Sequence, residues 1–286
     1  MSWTDAYWDI LSNFYWTPRY LGLKSIPRKD WRVDGDWVMI PKDAVANSSG
    51  PLYTRARKFP ELKSYLQGQE EILNHMFNLT FSIAADAVLT ELLFQPLGFE
   101  YSGPIVRLGR EIGARYGWPG ENVTQQDGLF VSGQSIVGVE LKLGSQSWPE
   151  QIAKYIALMV WEEAFGGERE DLGLLFLVPE ESLPAHWSTI GLQGPMIDDS
   201  FLTRLDRRKL PKKILDLLDT RPIQVRSVIS KLRLAVLSWN AFSQQISMLE
   251  SRLTSRTAGD QTLVRLLSGL RVHIDVVGRE PTQQRL

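Results

Sequence analysis

Gly128-Leu129-Phe130-Val131, Ser132-Gly133-Gln134-Ser135 and Ile136-Val137-Gly138-Val139-Glu140-Leu141-Lys142-Leu143 decide the fold class. Two short apolar runs flank a polar, glycine-containing turn, which is the pattern of a β-hairpin. On the second run Val139, Leu141 and Leu143 alternate with Glu140 and Lys142, so the two charged residues project to one face of a strand. Downstream, Ser147 and Glu150 have the spacing of a capping box and predict a helix from about Trp148 to about Ala164, ended by Gly166-Gly167. Leu172 to Val178 is a continuous apolar run closed by Pro179, the pattern of a strand buried on both faces. Upstream, Thr80 to about Gln95 reads as an apolar helix stopped by Pro96 and Gly98, and Pro104 to Leu108 as a strand. The order helix, strand, hairpin, helix, strand, α-βββ-α-β, predicts an α/β fold.

The flanks differ in character. In the N-terminal region, residues 1–79, Trp3, Tyr7, Trp8, Leu11, Phe14 and Tyr15 recur at helical spacing, Trp31 to Ile40 reads as a hairpin turning at Asp34-Gly35, and Pro60 opens a helix to about Asn78. The core is expected over 80–185. A C-terminal helical region is expected over 186–286, with one long helix carrying Val225, Ile229, Leu232, Val236, Trp239, Ile246, Leu249 and Leu253, and a second from about Gln261 to Val276.

Composition narrows the chemistry. The chain has 286 residues, 43% hydrophobic and 23% charged, which suits a globular protein rather than a disordered one. There is no cysteine, and the histidines are only His75, His186 and His273, read as structural or exposed. Disulfides, thiol nucleophiles and cysteine-ligated metals are thereby excluded. The start, MSWTDAYWDIL, is acidic and aromatic, so no signal peptide and no membrane span is expected and the cytoplasm is the expected location. A net charge of -1 means that any attraction for nucleic acid must be local.

Carboxylates and amines remain. Asp127 heads the first hairpin strand, Glu140 and Lys142 share a face of the second, and Gln151 and Tyr155 lie one turn apart on the following helix. A Glu and a Lys on a strand between buried elements are costly unless paired or metal-bound. Two carboxylates and a backbone carbonyl make a hard-oxygen set suited to Mg²⁺, and a nearby lysine can activate water or stabilise charge on phosphorus.

Asp127…Glu140-Leu141-Lys142 resembles the PD-(D/E)xK signature of the restriction-endonuclease-like nucleases, and Gln151-Ile152-Ala153-Lys154-Tyr155 resembles the Q-x3-Y motif of their RecB-like branch. The likeness covers roughly a third of the chain, from about Phe81 to Val178. It implies a restriction-endonuclease-like core, a central mixed sheet flanked by helices, and a metal-dependent deoxyribonuclease that binds Mg²⁺ or Mn²⁺ through Asp127, Glu140 and an acid on the first core helix. Lys142 would then be the base or charge stabiliser, and Gln151 and Tyr155 would orient the site. Gln126 stands where the motif has proline. Glu91 is the first choice for the helical acid, with Asp86, Glu100 and Glu111 as alternatives. Glu61-Leu62-Lys63 has the same E-x-K spacing but no partner acid, so context carries the signal.

DNA is the expected substrate, with RNA as an alternative. Arg204, Arg207, Arg208, Lys209, Lys212 and Lys213 crowd together, and Arg207, Arg208 and Lys154 are candidate phosphate contacts. A solvated charged face beside Asp206 and Asp216 is the competing reading. The C-terminal helices could dock a second copy or a partner protein. A non-catalytic nucleic-acid-binding or assembly subunit is the alternative function.

Overall fold

The computed structural model describes residues 23–24, 32–33, 36–41, 57–58, 70–108, 126–144, 147–253 and 257–279. Four short strands, β1 (Leu23–Lys24), β2 (Arg32–Val33), β3 (Asp36–Pro41) and β4 (Arg57–Lys58), form a small antiparallel sheet around β3. Val33 pairs with Asp36 and Arg32 with Trp37, so β2 and β3 are antiparallel neighbours as the expected hairpin requires, while its turn residues lie outside the described ones. The aromatic N-terminal helix and the helix start at Pro60 lie outside the described residues.

The main sheet has five strands in the order β5 (Val106–Arg107), β6 (Gly128–Val131), β7 (Ser135–Leu141), β8 (Asp171–Val178) and β9 (Leu232–Ser238). The first three run antiparallel, and β7, β8 and β9 run parallel, so the sheet is mixed. Helix α1 (Glu70–Ile83) precedes it. Next come α2 (Asp86–Leu89), a π-helical stretch Thr90–Phe94 and a 3-10 turn Gln95–Leu97. Helix α3 (Pro149–Gly166) crosses from β7 to β8, while α4 (Lys212–Thr220) and α5 (Pro222–Lys231) cross from β8 to β9. Helices α6 (Trp239–Arg252) and α7 (Ala258–Arg279) follow and pack on each other, with α7 also against α1.

Strand alternation splits the core into two layers. Val137, Val139, Leu141 and Leu143 join the layer of α1, α6 and α7, with Phe77, Phe81 and Phe242 among its largest side chains. Ile136 on the opposite face packs with Ile152, Ile156, Ile214 and Val225 of α3, α4 and α5. None of the described helices is long and apolar enough to cross a membrane.

Three sequence expectations change. The first two helices meet not near Leu79 but at Ala84-Ala85, because α1 continues to Ile83. Ser147 is not the helix cap: Trp148 takes that place with Pro149 in the first turn, and Glu150 instead accepts the Asp206 N–H at 3.0 Å. The long helix expected around Leu232 is broken by β9. Leu232 and Leu234 are buried and Arg233 exposed, a period of two that the broader apolar stripe conceals. Without β9, the buried strand β8 would present an unpaired edge. The sheet therefore draws residues from beyond position 185, and α1 begins before position 80.

Candidate functional site

The strand register assembles the site. Gly128 pairs with Val139, so one step further along the antiparallel ladder Asp127 faces Glu140. Asp127 Oδ2 accepts the Leu141 N–H at 2.8 Å, which ties the acid to the strand beside it. Lys142 Nζ lies 2.7 Å from Glu140 Oε1 and 3.2 Å from Glu70 Oε1. Glu70 also accepts the Leu143 N–H at 3.2 Å. The Lys142 backbone is fixed on both sides, its N–H donating to Leu177 O at 2.9 Å and its carbonyl accepting Trp239 Nε1–H at 2.6 Å.

Helix α3 closes the cluster from above the sheet. Gln151 donates from Nε2 to Glu140 Oε1, and its Oε1 accepts the Trp148 N–H at 2.9 Å. The Tyr155 hydroxyl donates toward Val139 O at 2.5 Å and Glu140 Oε2 at 3.1 Å, and accepts the Asp127 N–H at 3.3 Å. This reach needs Gly138. A Cβ there would lie 2.4 Å from Tyr155 Cδ1 and 2.6 Å from Cε1, so the ring can cross the strand only over a glycine. Gly138→Ala is therefore expected to destabilise the protein by about 1–3 kcal/mol in urea unfolding. The loss should shrink in a Tyr155→Val background; an equal loss in both would contradict the contact.

Helix α1 supplies partners that the sequence reading missed. Asn74 Nδ2 donates to Asp127 Oδ1 at 2.6 Å, and Asn78 Nδ2 to Asp127 O at 2.7 Å. Asn78 also bonds Asn74 through the side chains and accepts Arg107 Nε–H at 2.5 Å. Glu70, Asn74 and Asn78 recur every fourth residue, a polar stripe beside the apolar Leu73, Phe77 and Phe81. That stripe was the available signal.

Glu91 is not part of this cluster: its carboxylate pairs with Arg252 on α6. It sits in the π-helical turn whose Leu92, Leu93 and Phe94 are buried in the apolar layer, so it is directed to the helical hairpin rather than to the strand ends. Of the alternatives, Asp86 accepts the Ile105 N–H at 3.3 Å, Glu100 is exposed, and Glu111 lies outside the described residues. Glu70 is the helical acid at the cluster. Lys154 is half-buried on α3.

The basic stretch lies against the first turn of α3. Lys209 Nζ sits 4.9 Å from the centre of the Trp148 ring, and the Asp206–Glu150 bond anchors the same loop. Arg207 pairs with Asp219 at 2.6 Å and Arg208 with Asp206 at 3.2 Å, both largely exposed. Acidic neighbours, Asp219 and Asp206, thus offset part of this charge.

Burial shapes the protonation states. Desolvation, then the charge of Glu140, pushes the Asp127 carboxyl up to about 8, against the pull of the Leu141 N–H and Lys142. Burial also raises Glu140, although Lys142 and Tyr155 pull it down. Burial alone would lower the Lys142 ammonium, but Glu140 and Glu70 outweigh it and hold the group above the usual lysine value. Lys142 is therefore a cation at neutral pH, suited to stabilising charge rather than accepting a proton. Glu70, Asp127 and Glu140 surround one ammonium, so full ionisation leaves surplus negative charge.

That surplus is what a small divalent cation would neutralise, and carboxylate oxygens are the donors Mg²⁺ and Mn²⁺ take. Among the described residues no three His, Cys, Asp or Glu side chains converge as a ready-made metal cage. Asp127 and Glu140 are the pair that could hold an ion, with Glu70 steering Lys142. No family model, no curated protein and no solved structure matches the chain.

Proposed function

We propose that the chain is a divalent-metal-dependent nuclease of the PD-(D/E)xK kind with a restriction-endonuclease-like core, hydrolysing phosphodiester bonds in DNA. The observation that carries this reading is the convergence of Asp127, Glu140, Lys142, Gln151 and Tyr155, drawn from two strands and the following helix, into one hydrogen-bonded cluster beside the ends of β6 and β7. Mg²⁺ or Mn²⁺ held by Asp127 and Glu140 would supply Lewis-acid activation of water and of the phosphate oxygens. Lys142 contributes a fixed positive charge where negative charge develops on phosphorus, and Glu70 positions it. Gln151 and Tyr155 hold the Glu140 carboxylate in one orientation, as outer partners of metal ligands do. Lys154, Arg207 and Arg208 would contact the nucleic-acid backbone, and a homodimer or partner protein would dock on the C-terminal helices. The cytoplasm is the proposed location.

Cleavage of single-stranded DNA, duplex DNA and RNA with Mg²⁺ tests this. Asp127→Ala and Lys142→Ala are each expected to abolish hydrolysis of the preferred substrate, on the order of a 10³-fold loss at least. Unchanged cleavage in both variants would overturn the assignment. The close Lys142–Glu140 pair favours a second reading, a nucleic-acid-binding or assembly subunit in which the cluster is structural. It expects binding without cleavage and without metal uptake.

A further inference from the structure

Helix α1 reaches Asp127 through a chain of side-chain amides that can run in one direction only. Arg107, on the edge strand β5, donates from Nε to Asn78 Oδ1 at 2.5 Å. A guanidinium has donors and no acceptor, so the Asn78 oxygen must face it. The nitrogen end of the same amide meets three oxygens: Asn74 Oδ1, the Asn74 carbonyl at 2.9 Å and the Asp127 carbonyl at 2.7 Å. Only a donor fits among three acceptors, so both ends of Asn78 fix the same orientation. Asn74 Oδ1 is thereby committed to Asn78, and the Asn74 nitrogen is left to donate to Asp127 Oδ1 at 2.6 Å. Reversing either amide would set donor against donor and oxygen against oxygen, at half-buried positions where unmade hydrogen bonds are costly.

The chain ends on one half of a carboxylate whose other half is already held. Asp127 Oδ2 accepts the Leu141 N–H at 2.8 Å, so each oxygen receives one N–H and can still accept once more. Donors from two elements, α1 and β7, resist rotation of the carboxylate without using up its capacity for a cation. We propose that Arg107, Asn78 and Asn74 are positioning residues, a one-way donor relay that holds the Asp127 carboxylate beside Glu140 in the orientation that receives the metal ion. This rests on the metal-binding reading of Asp127 and extends it to three residues on α1 and β5 that act through Asp127 alone. Outer partners of metal ligands act in this way and commonly set affinity over a 10–100-fold range.

Two measurements on the full chain test the relay, the first without metal. In side-chain amide NMR the Asn74 and Asn78 NH₂ signals are assigned by their loss in Asn74→Leu and Asn78→Leu. Arg107→Met removes the first donor and is expected to shift the Asn74 signal as well as that of Asn78, although the Arg107 bond is to Asn78. Arg107→Lys keeps a donor and should return both signals toward wild type. In calorimetry with Mn²⁺ at one fixed pH, Asn74→Leu should weaken binding by about 10–100-fold and Arg107→Met by about tenfold, with most of the latter loss regained in Arg107→Lys. A packing role for Arg107 would lower the urea midpoint of Arg107→Met while leaving the Asn74 signal and the Mn²⁺ affinity in place, and that result would overturn the proposal. So would wild-type Mn²⁺ affinity in Asn74→Leu. No Mn²⁺ uptake by the wild type would sink the metal reading, and the metal-free amide signals would still decide whether the relay holds Asp127.

Discussion

Lys142→Met is expected to destabilise the metal-free protein by about 3–5 kcal/mol at pH 8, because it leaves buried carboxylates without their cation. Lys142 is 6% exposed and Glu140 4%, so water cannot take over the lost pairing. The methionine keeps most of the side-chain volume, which confines the change to charge. The cost should depend on pH with a definite sign. Removing Lys142 takes away one of the groups that hold the Asp127 and Glu140 carboxyls down, so both rise further in the folded state. A folded state that binds more protons than the unfolded chain loses stability as pH rises. The deficit is therefore largest at pH 8 and shrinks toward pH 5, as urea midpoints at the two pH values would read. A pH-independent deficit would point to packing instead.

Asp127→Asn should separate stability from activity. In the folded chain the Asp127 carboxyl is raised from 3.8 to about 8, chiefly by burial. Between these values the folded state keeps a proton that the unfolded chain has given up. The contribution of this group is thus fully present below the unfolded value and is lost as pH rises through the folded one. The metal-free wild type should weaken from pH 4 to pH 8, and the variant should weaken less. Relative to wild type the variant gains on the order of 2 kcal/mol across that window, after discounting for the part of Asp127 that remains open to solvent. Cleavage moves the opposite way, to complete loss. Mg²⁺ should raise the melting temperature of wild type and leave Asp127→Asn unmoved, since an ion stabilises only the state that binds it. A variant as steeply pH-dependent as wild type would contradict the raised carboxyl.

Parts of this were legible in the sequence for definite physical reasons. The hairpin from Gly128 to Leu143 has a period of two and a turn, and its register alone brings Asp127 opposite Glu140. The spacing of Gln151 and Tyr155 places both on the face of α3 that meets Glu140. Which helical acid lies at the cluster is not legible in the sequence, because Glu91 and Glu70 both flank apolar faces and only the path of α1 brings Glu70 to Lys142 while Glu91 pairs with Arg252. Strand β9 was hidden because Leu232 and Val236 also fit a helical stripe continuous with α5 and α6. Pairing with β8, a contact distant in sequence, decided the matter. Ser147 has the spacing of a cap to Glu150, but with Pro149 in the first turn the cap is Trp148.

Whether Asp127 and Glu140 form the proposed metal-binding pair is decided by calorimetric titration with Mn²⁺ near pH 7. The expected result is saturable binding that releases a proton, seen as a dependence of the heat on the buffer, because the raised Asp127 carboxyl must ionise to bind. Asp127→Asn and Glu140→Gln should each remove that binding. No saturable heat in the wild type, or the same uptake in both variants, would contradict it.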